Sequence, residues 1–155
     1  MKDEFQQVVT RYADVLYRLA FSYCGNPPDA EDVVQDVFVK YLRCKKTFES
    51  EDKRRAWLMT VTANRCLDLL RSHERRKTQS IETMPETAAP DQEDYSDIHE
   101  AIQALSPKYR GIVFLYYFEN RTTPEIAQLL GLPKATVRTR LLRARNLLKE
   151  HLGGA

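Results

Sequence analysis

Residues 122–145 carry two short helical patterns with a three-residue break between them. Thr122 or Thr123 can cap the first helix, and Pro124 fits its first turn. Glu125 follows Thr122 by three residues, which is the spacing of a capping box. In the break Gly131-Leu132-Pro133, the glycine can adopt a positive φ, the leucine can fill the angle between the helices, and the proline opens the next helix. These features predict two helices held at a fixed angle.

Apolar residues give each of these two helices one buried face. In the first helix they are Ile126, Ala127, Leu129 and Leu130, and in the second Val137, Leu141 and Ala144. Two helices around such a turn form a helix-turn-helix unit, whose second helix fits the major groove of DNA. The outward face of that helix is predicted to carry Lys134, Thr136, Arg138, Thr139, Arg140 and Arg143. Arginine and threonine can reach base edges or phosphates, so this pattern favours DNA binding.

The first half of the chain shows three longer amphipathic patterns. Their apolar residues are Tyr12, Val15, Leu16, Leu19, Ala20 and Tyr23, then Ala30, Val33, Val34, Val37, Phe38, Tyr41 and Leu42, then Trp57, Leu58, Val61, Leu67 and Leu70. Gly25-Asn26-Pro27-Pro28 is expected to end the first helix, and the second to begin near Asp29, whose side chain can cap it. The third is expected from about Lys53 to Arg76. Residues 1–77 are therefore predicted to form a helical domain.

Residues 78–95 interrupt the helical pattern. They contain Pro85 and Pro90 and many acidic residues without a lysine or arginine, which is typical of a flexible linker. Helical spacing resumes at Ile98, and Ser106-Pro107 marks the start of another helix. The predicted fold is therefore all-α, with two small helical domains, 1–77 and 96–155, joined by a flexible acidic linker.

The formal net charge of +2 hides a strong asymmetry along the chain. Residues 53–77 are mainly basic, residues 78–100 contain no lysine or arginine, and residues 134–149 contain no acid. Two basic segments separated by an acidic one indicate two contacts with a polyanion.

Features of an enzyme or a metal site are missing from the sequence. The three histidines lie far apart, the three cysteines form no CxxC pair, and there is no glycine-rich phosphate loop or nucleophile elbow. No catalytic residue, metal ligand, cofactor or small-molecule substrate is predicted. A response regulator would need a βαβ receiver, and residues 1–77 show no strand pattern. No signal peptide is recognised, so a cytoplasmic protein is expected.

The sequence resembles the group IV, or extracytoplasmic-function, sigma factors of the sigma-70 family. The stretches Ile126–Pro133 and Thr136–Arg145 are similar to region four of that family, which reads the minus-thirty-five promoter element. The resemblance assigns that reading to the outward residues of the second helix named above. Ala135 stands where the family usually has glycine, and Thr139 where serine is commoner, so promoter detail is open.

Two further motifs occur in the family's order. Asp29–Phe38 resembles region 2.2, which docks on a coiled coil of the polymerase β′ subunit. The resemblance implies a polymerase-binding set of Asp29, Glu31, Asp32, Gln35 and Asp36. The segment from Ala56 to Arg71 resembles regions 2.3 and 2.4, which open and read the minus-ten element. It implies a DNA-binding set of Asn64, Arg65, Asp68, Arg71 and Arg75, with residues 43–52 forming the wall of a pocket for a flipped base.

The function implied by this resemblance is that of a sigma factor rather than an enzyme. Such a protein binds core RNA polymerase through its β′ and β subunits and directs promoter-specific initiation, with DNA opening at the minus-ten element. The expected partners are core polymerase, promoter DNA and an anti-sigma factor, which is often anchored in the membrane.

Overall fold

The computed structural model describes residues 2–79 and 96–153, with side chains over 3–76 and 97–153. Within these ranges the chain is helical and contains no strand, which confirms the predicted all-α class. The helices are α1 (Lys2–Cys24), α2 (Pro27–Cys44), α3 (Glu51–Gln79), α4 (Ser96–Ala104), α5 (Pro107–Val113), a π-helix (Phe114–Phe118), α6 (Thr123–Leu130) and α7 (Lys134–His151). Residues 80–95 of the predicted linker lie outside the described residues, and α3 continues to Gln79.

The turn between α1 and α2 is built by glycine and asparagine. Gly25 follows the last residue of α1 with a φ of +82°, as a helix-ending glycine does. The predicted cap of α2 is wrong: Asn26 is the N-cap, and its side chain accepts a hydrogen bond of 2.9 Å from the backbone N–H of Asp29. Asp29 lies one turn too late to cap because Pro27 and Pro28 already occupy the first turn, where their missing N–H groups cost nothing.

Helices α1, α2 and α3 pack through their apolar stripes. All six predicted residues of α1 are buried, as are Ala30, Val33, Val37 and Phe38 of α2. Leu42 was predicted in the stripe of α2, but 58% of it is exposed, so that prediction is wrong. Leu42 follows the stripe's edge residue Phe38 by one turn and lies about 100° from the middle of the stripe. On α3, Leu58 is buried together with the unpredicted Met59, Thr62, Ala63 and Cys66.

The second half contains a helix of unexpected geometry. Ser106 precedes α5 as predicted, and Tyr109, Ile112 and Val113 are buried. After α5 the backbone widens into the π-helix, where the N–H of Glu119 donates to the carbonyl of Phe114 at 3.2 Å. The π-helix was not predicted, and it leaves Tyr117 45% exposed.

The two halves of the chain pack against each other. One hydrophobic cluster contains Leu16 and Leu58 from the first half and Ile112, Leu115 and Ile126 from the second. Polar contacts cross the same interface. The guanidinium of Arg55 pairs with Glu119 at 2.6 Å, and the Thr60 hydroxyl donates to the carbonyl of Leu129 at 2.7 Å. Helix α3 therefore lies beside α6.

Candidate nucleic-acid interface

The helix-turn-helix unit is formed by α6 and α7. Thr122 is the N-cap of α6: its hydroxyl accepts from the N–H of Glu125 at 3.3 Å, and its own N–H donates to that carboxylate at 2.8 Å. This capping box was predicted and is confirmed. The backbone and side-chain hydrogen bonds from Thr122 hold the pKa of Glu125 below its ordinary value. Gly131 ends α6 with a φ of +66°, and the N–H of Leu132 donates to the carbonyl of Ala127.

Helix α7 has a buried side and a basic side. Val137, Leu141 and Ala144 are buried as predicted. On the other side lie the predicted DNA-reading residues, of which Lys134, Arg138, Thr139 and Arg143 are exposed and Thr136 and Arg140 are half-buried. Within the described residues none of the four basic side chains among them has an ion pair with an acid. The Thr139 hydroxyl donates back to the carbonyl of Ala135 at 3.0 Å, so only its lone pairs face outward.

The predicted minus-ten residues lie along one side of α3. Asn64, Asp68, Arg71 and Arg75 are exposed, and Arg65 is half-buried. Nε of Arg65 donates to Asp36 at 2.8 Å, and Nη1 of Arg71 lies 3.3 Å from Asp68. A small cleft of about 90 Å³ lies between α2 and α3, lined by Asp36, Val37, Lys40, Val61, Asn64, Arg65 and Asp68. Through Asp36 and Arg65, the predicted minus-ten residues of α3 lie next to the predicted polymerase-binding residues of α2.

The predicted polymerase-binding residues divide into two groups. Glu31, Asp32, Gln35 and Asp36 are exposed on α2. Asp29 is half-buried: its carboxylate accepts from Nδ2 of Asn26 at 3.0 Å and lies 3.3 Å from Nε2 of His73.

Sequence reasoning missed two apolar residues on the exposed face of α2. Val39 is 45% exposed and Leu42 is 58% exposed. At about 100° per residue, Val39 lies between Gln35 and Asp32 around the helix, and Leu42 lies beside Gln35. Val39 and Leu42 follow Gln35 by four and seven residues, and this helical spacing could have placed them on the same face as Gln35. The face is therefore acidic at its rim with apolar residues within it.

The connection between α2 and α3 carries an aromatic cluster. Phe48 stacks on Tyr41 at a ring distance of 6.2 Å and lies 5.8 Å from Trp57 at a tilt of 58°. Lys46 and Arg54 lie over Trp57 and Phe48 at 5.9 and 5.4 Å. Trp57 was predicted to be core. It is half-buried, packing on the core with part of the indole against this cluster.

Neither a metal cluster nor a membrane-crossing helix is found in the described parts of the chain. No group of three or more histidine, cysteine or acidic side chains there could hold a metal ion. None of the helices there combines the length and the apolar character needed to cross a membrane.

Family models and individual relatives indicate the same protein family for this chain. The model of Sigma-70 region 2 matches residues 8–76, and that of Sigma-70, region 4 matches residues 95–148. RNA polymerase sigma factor SigV of Bacillus subtilis is 32% identical, over 93% of this chain and 88% of its own length. RNA polymerase sigma factor CarQ of Myxococcus xanthus is 31% identical, over 98% and 91%.

Solved structures agree with the sequence comparison. The sigma factor RpoE of Bartonella quintana, crystallised with the anti-sigma factor NepR, has a TM-score of 0.82 at 29% identity and covers 98% of both chains. CnrH in complex with the cytosolic domain of CnrY has a TM-score of 0.73 at 26% identity, over 99% of this chain and 90% of that one. The chain therefore belongs to the extracytoplasmic-function group of the sigma-70 family, whose members direct RNA polymerase to specific promoters.

Proposed function

We propose that this sigma factor binds core RNA polymerase through α2, opens and captures the minus-ten element with α3, and reads the minus-thirty-five element with α7. The observation that carries the proposal is the outward side of α7, which presents basic side chains without acidic partners among the described residues. Unpaired guanidinium groups on a helix that fits the major groove suit guanine edges and phosphates. The matched region 4 supports the same assignment.

Polymerase docking is proposed for the exposed face of α2. Acidic and amide groups at Asp32, Gln35 and Asp36 suit a basic partner and would steer its approach. Val39 and Leu42 would add apolar area that is buried only in the complex. The partner is proposed to be the β′ coiled coil, with the β subunit contacting the second half of the chain.

Strand opening is proposed for α3 and the connection before it. Amide and guanidinium groups at Asn64, Arg65 and Arg71 suit unpaired bases and their phosphates. Extruding a base costs a few kcal/mol, which contacts in a preformed pocket can offset. The free energy of opening would then come from binding, without nucleotide hydrolysis by this chain. We propose residues 1–77 and 96–155 as the two functional units.

We also propose regulation by an anti-sigma factor. The solved structure of RpoE described above holds that sigma factor together with the anti-sigma factor NepR. An apolar groove of about 490 Å³ between α1, α4 and the π-helix would be a suitable contact, lined by Tyr17, Arg18, Phe21, Ser22, Ile98, His99, Ile102, Phe114 and Phe118. Such a regulator, if anchored in a membrane, would hold the chain there.

Permanganate reactivity of unpaired thymines tests the three assignments together. Promoter fragments would first be recovered with the wild-type chain. They would then be mixed with core polymerase and one of three variant chains, Asn64→Ala, Gln35→Ala or Arg143→Ala. We expect Asn64→Ala to lower strand opening, Gln35→Ala to lower core binding and Arg143→Ala to lower duplex binding, each by roughly tenfold. Lys108→Ala, an exposed substitution outside all three faces, is the control. Opening that is unchanged by Asn64→Ala would contradict the assignment of α3.

A further inference from the structure

Glu51, the first residue of α3, joins that helix to α1. The hydroxyl of Tyr12 donates to one oxygen of the Glu51 carboxylate, and Nη1 of Arg11 lies 3.3 Å from the same oxygen. Tyr12 is almost fully buried in the core, with only 3% of its surface exposed. One end of this contact is therefore fixed by the hydrophobic packing of α1 rather than by surface side chains.

The other oxygen of Glu51 holds Arg54. Nη1 of Arg54 donates to that oxygen, and 24% of the arginine side chain is exposed. The guanidinium carbon of Arg54 lies 5.4 Å from the ring centre of Phe48, a distance at which a cation is attracted to an aromatic face. A continuous path thus runs from Tyr12 in the core through Glu51 and Arg54 to Phe48.

Phe48 lies outside the helices. It belongs to the connection 45–50, in which Lys45 is in the left-handed region with a φ of 51° and the carbonyl of Ser50 accepts the first hydrogen bond of α3, from Arg54. The contacts that hold Phe48 are its stacking on Tyr41, its tilted contact with Trp57 and the guanidinium of Arg54. Hydrogen bonding by Tyr12 and Arg54 also lowers the pKa of Glu51 from its ordinary value, so these contacts favour the charged carboxylate.

We propose that Glu51 is a positioning residue for capture of the minus-ten strand. It holds Arg54 against Phe48 and so fixes the aromatic surface formed by Tyr41, Phe48 and Trp57 before DNA arrives. Preorganisation of a stacking surface saves the cost of ordering it on binding. The inference rests on the proposed function, in which residues 43–52 border the pocket for a flipped base.

The single tryptophan of the chain makes the inference measurable without DNA. Trp57 contacts Phe48, so acrylamide quenching of its fluorescence reports whether the connection keeps its place. The full-length variant Glu51→Gln keeps a hydrogen-bond acceptor for Tyr12 but loses the ion pairs with Arg11 and Arg54. We expect stronger quenching in Glu51→Gln and a smaller increase in Tyr12→Phe. Glu4 lines the same surface cleft as Tyr12, Glu51 and Arg54. Glu4→Gln removes this exposed carboxylate and should leave quenching unchanged.

The same variants are then compared in open-complex formation. Each variant would be mixed with core polymerase and a promoter that was selected with the wild-type chain. The non-template strand of that promoter would carry 2-aminopurine at each minus-ten position in turn. Glu51→Gln should slow opening roughly fivefold to tenfold, the size expected for the loss of one hydrogen bond of typical strength, without weakening the closed complex. A merely structural role would instead lower the melting temperature and weaken both steps together.

Three results would overturn the inference. They are unchanged Trp57 quenching in Glu51→Gln, an opening rate unchanged by that substitution, and an equal loss of opening in Glu4→Gln. If the wild-type chain opens no DNA with core polymerase, the proposed function fails. The quenching comparison then still decides whether Glu51 positions the connection.

Discussion

At the scale of single residues, Arg110 links the two halves of the chain through hydrogen bonds to backbone carbonyls. Its guanidinium donates to the carbonyls of Tyr23, Gln103 and Leu105 at 2.5, 2.9 and 3.0 Å. These carbonyls lie at the C-terminal ends of α1 and α4, where a cation is favoured by the helix dipoles. Burial lowers the pKa of Arg110 from its ordinary value, but the group stays charged because that value is far above neutrality.

Arg110→Ala should destabilise the fold by about 3 kcal/mol, since it leaves three carbonyls at the interface without this donor. Urea unfolding followed by circular dichroism measures the loss. Lys108→Ala, an exposed substitution two residues away, should change stability by less than about 1 kcal/mol, because it loses only a cation–π contact with the Tyr109 ring at 5.2 Å. Equal effects of the two substitutions would show that the three hydrogen bonds contribute nothing specific.

At the scale of elements, the capping box of α6 predicts a pH dependence. The pKa of Glu125 is lowered in the folded chain, mainly by the backbone N–H of Thr122. The unfolded chain therefore binds the proton first as pH falls, and the carboxylate's stabilisation is present at neutral pH and lost below about pH 4.3. Melting temperatures of wild type and Glu125→Ala should converge through that range. Glu125→Gln accepts the same hydrogen bond without titrating, so a matching pH dependence in that variant would contradict this explanation.

Helix α7 gives a second prediction at this scale. Arg140→Ala or Arg143→Ala should weaken binding to a promoter duplex by about 1–3 kcal/mol if the side chain contacts a base edge. If it contacts a phosphate, the slope of log affinity against log salt should fall by about one unit. Fluorescence anisotropy at several salt concentrations separates the two cases. Unchanged affinity and slope in both variants would contradict the placement of α7 in the major groove.

The sequence was sufficient to predict elements that depend on local chemistry. The stripe of α1, the capping box at Thr122 and the turn at Gly131 follow from residues a few positions apart, and all are confirmed. Leu42 was misplaced because apolar spacing alone does not distinguish the edge of a core stripe from a neighbouring exposed face. The pairs Arg55–Glu119 and Arg65–Asp36 join residues far apart in the sequence, and no local pattern indicates which partners will meet. The DNA and polymerase residues remain predictions.

At the scale of the whole molecule, the two halves approach each other closely at Gly111. A Cβ atom added there would lie 1.9 Å from the hydroxyl oxygen of Tyr23 in α1. Because Gly111 has no side chain, α5 can pack directly on α1 at this position. The interface between the halves therefore combines apolar packing with a close steric fit at Gly111 and the ion pair between Arg55 and Glu119.

Gly111→Ala should destabilise the wild-type chain by about 1–3 kcal/mol through overpacking against Tyr23. In a Tyr23→Ala background the clash is absent, and alanine's greater helix propensity should make the same substitution stabilising by up to about 1 kcal/mol. Unfolding measurements on the four chains of this double-mutant cycle give the coupling. Additive effects of the two substitutions would contradict direct packing of α5 on α1.

Run-off transcription tests the central claim most directly. The purified chain would be mixed with bacterial core RNA polymerase and a genomic promoter library, with core polymerase alone as the control. We predict specific initiation that depends on the chain, with both promoter elements recovered from the transcribed fragments. A chain that binds duplex DNA but never directs core polymerase would instead act as a conventional helix-turn-helix regulator, which would contradict the proposed function.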